Sequence, residues 1–410
     1  MRIEPRGPEV ALANGRTSRA DGEAAALVEF RSWLATQPAD HWSTFQRHFP
    51  IAERSVNSRE WERALGAAGW LGVSWPIEYG GRGLSLTAAL RFAQELAAAG
   101  APEIFNITGL ELVGPAVLRF GTEEQKLQVL PALLAGQIWC QGFSEPDAGS
   151  DLANIRTMAR PEGDTFVING QKVWSTNSPA ASGCILLART DPDAPLHRGI
   201  TCFLVPMDLP GVEVRPIAQV TGDSDFSELF FTDVVVGANM VLGEVNGGWR
   251  VASEVLVGER AKMFSILGTV HADMVEALAA VAALPMAAPG TVLLRHRAVD
   301  VAVEERVVQW CNDNVVENRA AERPDARLES TMKVAWSEVH QRIVQLGADT
   351  PGLDGLLEAD DPDTRNRGKW LYALMHGRAE TIYAGTSEIQ RNIIAERVLG
   401  LPREPRGDDR

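Results

Sequence analysis

Only four cysteines occur in the chain, at 140, 184, 202 and 311, and no two share a short paired spacing. That argues against a zinc knuckle, a redox pair or a disulfide framework, and it is compatible with a reducing compartment. Cys140, Cys184 and Cys202 stand in apolar, strand-like stretches, where a thiol behaves as a small buried hydrophobe. No apolar run reads as long enough to span a bilayer. The opening Met1–Arg2–Ile3–Glu4–Pro5 lacks the apolar core of a secretory signal, so a cytoplasmic location is expected. Histidine is scarce, and the seven present show no metal-ligand spacing, so no metal is expected. Lys and Arg together number 39 against 54 Asp and Glu, giving a formal charge of -15 and a pI near 5.0. An acidic surface of this kind argues against nonspecific binding to nucleic acid or to an anionic membrane. A phosphate-bearing ligand would need local Arg, Lys and backbone N–H groups. There is no Gly-x-Ser-x-Gly nucleophile elbow. Gly80–Gly81–Arg82–Gly83 lacks the strand-then-helix spacing of a phosphate loop.

What is present is a soluble-type composition, 45% hydrophobic and 23% charged, in a chain of 410 residues. That length exceeds what one hydrophobic core usually organises. Residues 1–22, rich in Arg, Gly and Pro, read as a loose tail. Residues 23–136 read as an α-helical domain. Leu27, Phe30, Trp33 and Leu34 recur at helical spacing, and Thr122–Glu123–Glu124–Gln125 is a capping box. Residues 137–240 change to short apolar strands separated by Gly, Pro and Asp, an antiparallel β domain. Within it, Asn169–Gly170 between Thr165–Ile168 and Lys172–Trp174 predicts a hairpin turn. From 241 to 400 helical periodicity returns, with candidate helices at about 250–283, 291–320, 329–347 and 365–398, a four-helix bundle. Residues 401–410 form a second tail. The fold class is α+β and multidomain: helices, then a sheet, then a bundle.

Three motifs then become specific. Phe143–Ser144–Glu145–Pro146–Asp147–Ala148–Gly149–Ser150–Asp151, Gly170–Gln171–Lys172–Val173–Trp174–Ser175–Thr176–Asn177 and Gly385–Thr386–Ser387–Glu388–Ile389–Gln390–Arg391 resemble, in order and spacing, those of the acyl-CoA dehydrogenase family. The resemblance covers roughly residues 25–400, and the C-terminal Asn392–Gly400 stretch is similar to actinobacterial members. Three ordered motifs in three segments carry far more weight than any one.

The resemblance implies FAD as cofactor, an acyl-CoA thioester as substrate, and a family reaction in lipid metabolism. A proton leaves the α carbon while a hydride passes from the β carbon to flavin N5. It implies that Phe143 and Ser144 meet the flavin, Ser144 at its pyrimidine edge, that Trp174 packs on the ring, and that Thr176 bonds near N5. Thr386 and Glu388 would reach the ADP part across a subunit interface, and Ser150 would contact CoA. Taken singly, Trp174 would pass for a core aromatic, Glu388 for a surface charge and Ser150 for an ordinary turn serine.

In many family members the base is a glutamate just before the Gly-Thr-Ser-Glu turn, but here Ala384 stands there. Enzymes like isovaleryl-CoA dehydrogenase carry it on the first bundle helix before an arginine, and Gly258–Glu259–Arg260 matches that place. Glu259 is therefore the candidate base, although an isolated Glu-Arg pair would usually be a solvated helix surface. The Ala384 backbone N–H would polarise the thioester carbonyl, a role that survives the change of side chain. Arg260 is a candidate for the substrate side or an interface, and Arg295 for a cofactor phosphate, with a surface arginine at least as good a reading. Gln345–Pro351 lacks the paired glycines of the family, so no adenine-side contact is assigned there.

The expected assembly is a homo-oligomer, a dimer or tetramer, with an electron-transfer flavoprotein or similar acceptor. Two other readings use the same fold: a noncatalytic or partner-dependent subunit of a heteromeric dehydrogenase, and an acyl-CoA oxidase or flavin monooxygenase relative. Chain length and branching of the acyl group stay open.

Overall fold

The computed structural model describes residues 9–37, 51–102, 104–261, 263–321, 323, 325–357, 361 and 368–402; of these, the side chains of 9–20, 51–57, 97, 257–265, 320 and 326 are not described. The N-terminal part comprises α1 (Glu9–Leu34), α2 (Ile51–Ala67), α3 (Leu86–Ala98), α4 (Gly114–Phe120) and α5 (Glu123–Leu134). Helix α1 begins at Glu9, inside the segment expected to be a tail. Its alanine- and leucine-containing start has good helix propensity, which the Arg, Gly and Pro content of the segment obscures. Phe30 lies with Trp70 and Phe92 at ring separations of 5.0 and 4.8 Å, making an aromatic centre for these helices. The capping box at Thr122 forms as read: its hydroxyl accepts from Gln125 N, and Gln125 Oε1 accepts from Thr122 N.

The middle part is one seven-stranded sheet: β1 (Trp139–Gly142), β2 (Met158–Glu162), β3 (Thr165–Thr176), β4 (Gly183–Arg189), β5 (Ile200–Pro206), β6 (Val212–Ile217) and β7 (Phe226–Gly237). The order is β1-β4-β2-β3-β7-β6, with β5 paired to β4. Most pairs are antiparallel, but β1 and β4 run parallel, Trp139 opposite Gly183. Parallel pairing requires a long crossover, and here β2 and β3 supply it. Cys140, Cys184 and Cys202 are buried in this sheet.

The hairpin expected at Asn169–Gly170 is not there. β3 runs straight through it, and the tight turn falls at Gly163, where φ is 62°. Asn169 instead exchanges two 3.0 Å hydrogen bonds with Asp233 on β7. Gly170 is needed because a Cβ there would meet Thr157 at 2.5 Å. The dipeptide marks a register shift within a strand rather than a turn.

The C-terminal part holds α6 (Gly248–Ala261), α7 (Met263–Ala283), α8 (Thr291–Ala320) and α9 (Ala326–Asp349). The segment read as one helix over 365–398 is broken into α10 (Lys369–His376), a 3-10 turn (Gly377–Thr381), a bend, and α11 (Ser387–Ile393). The break has a local cause: Ala384 and Gly385 both adopt positive φ, 54° and 85°, and Thr386 caps the new helix by accepting from Ile389 N. Against the expectation of no spanning run, Ile266–Ala283 in α7 is long and apolar enough to cross a membrane by length and composition. In the fold, Leu267, Val270, Met274, Ala277 and Val281 pack into the bundle core with Trp336, Ile343 and Trp370.

Candidate active site

The first two motifs are joined at the sheet. Lys172 on β3 is fully buried, and its ammonium donates to Glu145 Oε1 at 2.8 Å and to the Phe143 carbonyl at 3.1 Å. Val173 N donates to the Ser144 carbonyl at 2.9 Å. Glu145 also accepts from Arg156 N and Thr157 N. Burial pushes the Lys172 ammonium down to about 8 despite the attraction of Glu145. Burial works against the Glu145 carboxylate too, but Lys172 and the backbone donors more than offset it and hold its pKa low. The Phe143–Ser150 loop is thus fastened to β3 by a buried ion pair, a role that the motif resemblance did not assign to Glu145 or Lys172.

On the other side of this junction lie the polar ends. Phe143 is buried, Ser144 and Thr176 are half-buried, and Ser150 is exposed. Trp174 is 59% exposed, at a φ of 62° that turns it out of the strand's alternation, with Phe226 packed edge-on at 6.2 Å. Among the described residues, the hydroxyls of Ser144 and Thr176 have no hydrogen-bond partner. An exposed indole beside two half-buried, unpartnered hydroxyls fits a planar heteroaromatic ring with acceptor and donor edges.

The third motif is tied to the same region through the β6–β7 loop. Asn177 N donates to the Asp225 carbonyl at 2.9 Å, and Tyr372 on α10 donates to Asp223 Oδ2 at 2.8 Å. Helix α10 leads into the bend at Ala384. Its N–H finds no acceptor among the described residues, while its carbonyl accepts from Gln390 Nε2 at 3.3 Å. Glu388 is exposed, and its pKa is lowered by hydrogen bonds at the start of α11. Glu259 and Arg260 lie on α6, but their side chains fall outside the described residues. Val251, Ala252 and Val255 seat that helix on the core shared with β4 and β5. Arg295 is placed differently from the rest: it donates to the carbonyls of Ala282 and Leu284 at the end of α7. A crevice of about 700 Å³ lined by Gln125, Trp139, Ser182 and Met207 contains none of the candidate site residues.

Comparison with known proteins agrees with this arrangement. Residues 12–137, 140–234 and 246–399 match the N-terminal, middle and C-terminal domains of acyl-CoA dehydrogenases. "Acyl-CoA dehydrogenase IpdE1" of Mycolicibacterium smegmatis is 39% identical over 409 residues, covering 93% of this chain and 98% of that protein. Among solved structures, the "Tcur3481-Tcur3483 steroid ACAD" superposes with a TM-score of 0.80 at 27% identity, covering 98% of this chain and 100% of that one. The ChsE4-ChsE5 complex from Mycobacterium tuberculosis gives 0.79 at 29%, with the same coverage. The fold and the junction of motifs define an FAD flavoprotein of the oxidoreductase class. The chain belongs to the acyl-CoA dehydrogenase family.

Proposed function

We propose that the chain catalyses α,β-desaturation of a bulky acyl-CoA thioester, with Glu259 as base and the Ala384 N–H as carbonyl donor. The observation that carries this reading is the Ala384 bend: a left-handed alanine whose N–H finds no acceptor among the described residues, where many relatives place their base. A buried or half-buried N–H without an acceptor is costly unless a ligand supplies one. The thioester oxygen is a suitable acceptor, and bonding there stabilises the charge that develops as the α proton leaves. Glu259 would take that proton. Bound FAD supplies the acceptor for the hydride from the β carbon. Ser144 and Thr176 would hold the ring edges, Trp174 its face, Phe143 the backing, and Thr386, Glu388 and Arg295 the distal part; Ser150 and Arg260 would meet the substrate. An electron-transfer flavoprotein or similar carrier is the proposed final acceptor.

Alanine at 384 leaves more room beside the reacting carbons than a glutamate would, which supports a bulky acyl group. The steroid designation of a similar structure points the same way. The test is an anaerobic visible spectrum of the holoenzyme with a panel of acyl-CoAs. Bleaching is expected with polycyclic or branched thioesters, and Glu259→Gln should slow it on the order of 10³-fold with FAD retained. Full activity in that variant would remove Glu259 from the reaction.

A second reading, assembly with a homologous chain, is supported by one surface. Val292, Val299, Val303 and Trp310 are all exposed along one face of α8. Two of the similar structures are named as pairs of chains. Light scattering and FAD content, measured with and without a homologous partner, separate a homo-oligomer from a mixed one.

A further inference from the structure

A buried polar cluster lies behind the Ala384 bend and has no part in the reaction proposed above. His340 on α9 is buried with carboxylates at both ring nitrogens. Its Nδ1 lies 2.8 Å from both oxygens of Glu380 in the 3-10 turn, and its Nε2 lies 3.1 Å from Asp273 Oδ2 on α7. A neutral imidazole has one donor and one acceptor, whereas two ionised carboxylates only accept. The geometry therefore calls for an imidazolium donating at both nitrogens.

The surrounding charges agree. Lys369 on α10 reaches Asp273 Oδ1 at 2.7 Å and Glu276 at 2.6 Å, and buried Lys333 on α9 donates to the Glu380 carbonyl at 2.8 Å. Counting His340 as charged, the three cations His340, Lys333 and Lys369 balance Asp273, Glu276 and Glu380. Gln341, next along α9, donates to the Gly377 carbonyl at 2.8 Å. Helix α9 thus grips both ends of the 3-10 turn through Lys333, His340 and Gln341. The turn in turn launches the bend, since Ile382 N and Tyr383 N both donate to the Ala379 carbonyl. Ala384, at a φ that alanine adopts only under constraint, follows directly.

We propose that His340, as an imidazolium held between Asp273 and Glu380, is a positioning residue that sets the Ala384 bend and so aims its N–H. The part of this inference that concerns activity rests on the proposed function; the part that concerns the bend does not. The test uses the full-length holoenzyme labelled with nitrogen-15 histidine. Near neutral pH, both nitrogens of His340 should carry protons. In His340→Gln, hydrogen exchange over 382–386 should accelerate at least about tenfold while the rest of the bundle keeps its protection. With acyl-CoA, kcat should fall about 10- to 100-fold, with KM changed by less than about twofold.

Glu380→Gln is the second variant, and serves if His340→Gln does not fold. It keeps an acceptor for Nδ1 but removes a charge, so the alkaline limb of kcat should move to lower pH, which loss of packing alone would not cause. A neutral His340 ring near neutral pH, or unchanged exchange over 382–386 in a folded variant, overturns the proposal. Failure of every acyl-CoA to bleach the wild-type flavin would instead remove the proposed function, leaving the spectroscopic and exchange arms to decide on His340.

Discussion

Gly347 lies inside α9, where a Cβ would meet the Trp370 ring at 2.3 Å. The sequence showed only a glycine in a segment that lacks the family's paired glycines; the ring that crosses it comes from α10. Gly347→Ala should therefore destabilise the fold by about 1–3 kcal/mol despite alanine's better helix propensity, as a denaturant midpoint would show. Glu62 on α2 poses a different problem. It is fully buried, one oxygen accepts from Asn106 N at 2.6 Å, and the other has no hydrogen-bond partner among the described residues. Burial raises its pKa to about 7. A raised folded-state pKa contributes stability below the unfolded value, near 4.5, which is lost as pH rises through about 7. Glu62→Gln should raise the melting temperature at about pH 8 and change little at about pH 4, a difference on the order of 3 kcal/mol. Nothing in the local sequence distinguishes Glu62 from a surface glutamate. Ala384 was legible as a missing base, but its backbone conformation was not.

Among the elements, the lock between β3 and the Phe143–Ser150 loop is the most consequential. Lys172→Met leaves Glu145 buried without its cation, which should cost about 3 kcal/mol and lower FAD occupancy. Thermal melts and the ratio of flavin to protein absorbance check both effects, and retained FAD at unchanged stability would show the lock to be dispensable. The motif spacing marked the two segments that meet at this junction. It did not reveal the ion pair beneath, because only the folded loop, tied to β3 by Val173 N and the Ser144 carbonyl, puts residues 145 and 172 together. The Asn169–Gly170 turn was misread for a related reason. Local turn preference lost to a cross-strand bond with Asp233, which sequence proximity cannot show. In the bundle, 291–320 was read with its observed ends because both are set locally. The 365–398 segment was not, because its break lies in the left-handed backbone at Ala384 and Gly385, which helical periodicity does not show. The bonds of His340 to Asp273 and Glu380 outweigh its burial and raise its pKa to about 9, above the ordinary 6.5. Its contribution should be complete below about pH 6.5 and fade as pH rises through about 9, on the order of 3 kcal/mol in all, measurable as wild-type minus His340→Gln stability across that range.

At the scale of the whole molecule, the succession of helices, sheet and bundle was legible because hydrophobic period changes twice along the chain. The outer face of α8 was not, since exposure is a property of packing. A charge placed there by Val303→Glu should leave the fold intact and reduce the mass seen by light scattering if the stripe is an assembly surface; an unchanged mass would assign it elsewhere. The parallel pairing of β1 with β4 has a further consequence, in the order of synthesis. The loop that begins at Phe143 leaves the ribosome well before Lys172, before β4 and before the bend at Ala384. Early in translation it has neither the cation beneath it nor the strand beside it. With the cofactor held as proposed, its capture would wait until nearly the whole chain has been made, and a truncated product should emerge colourless rather than partly loaded.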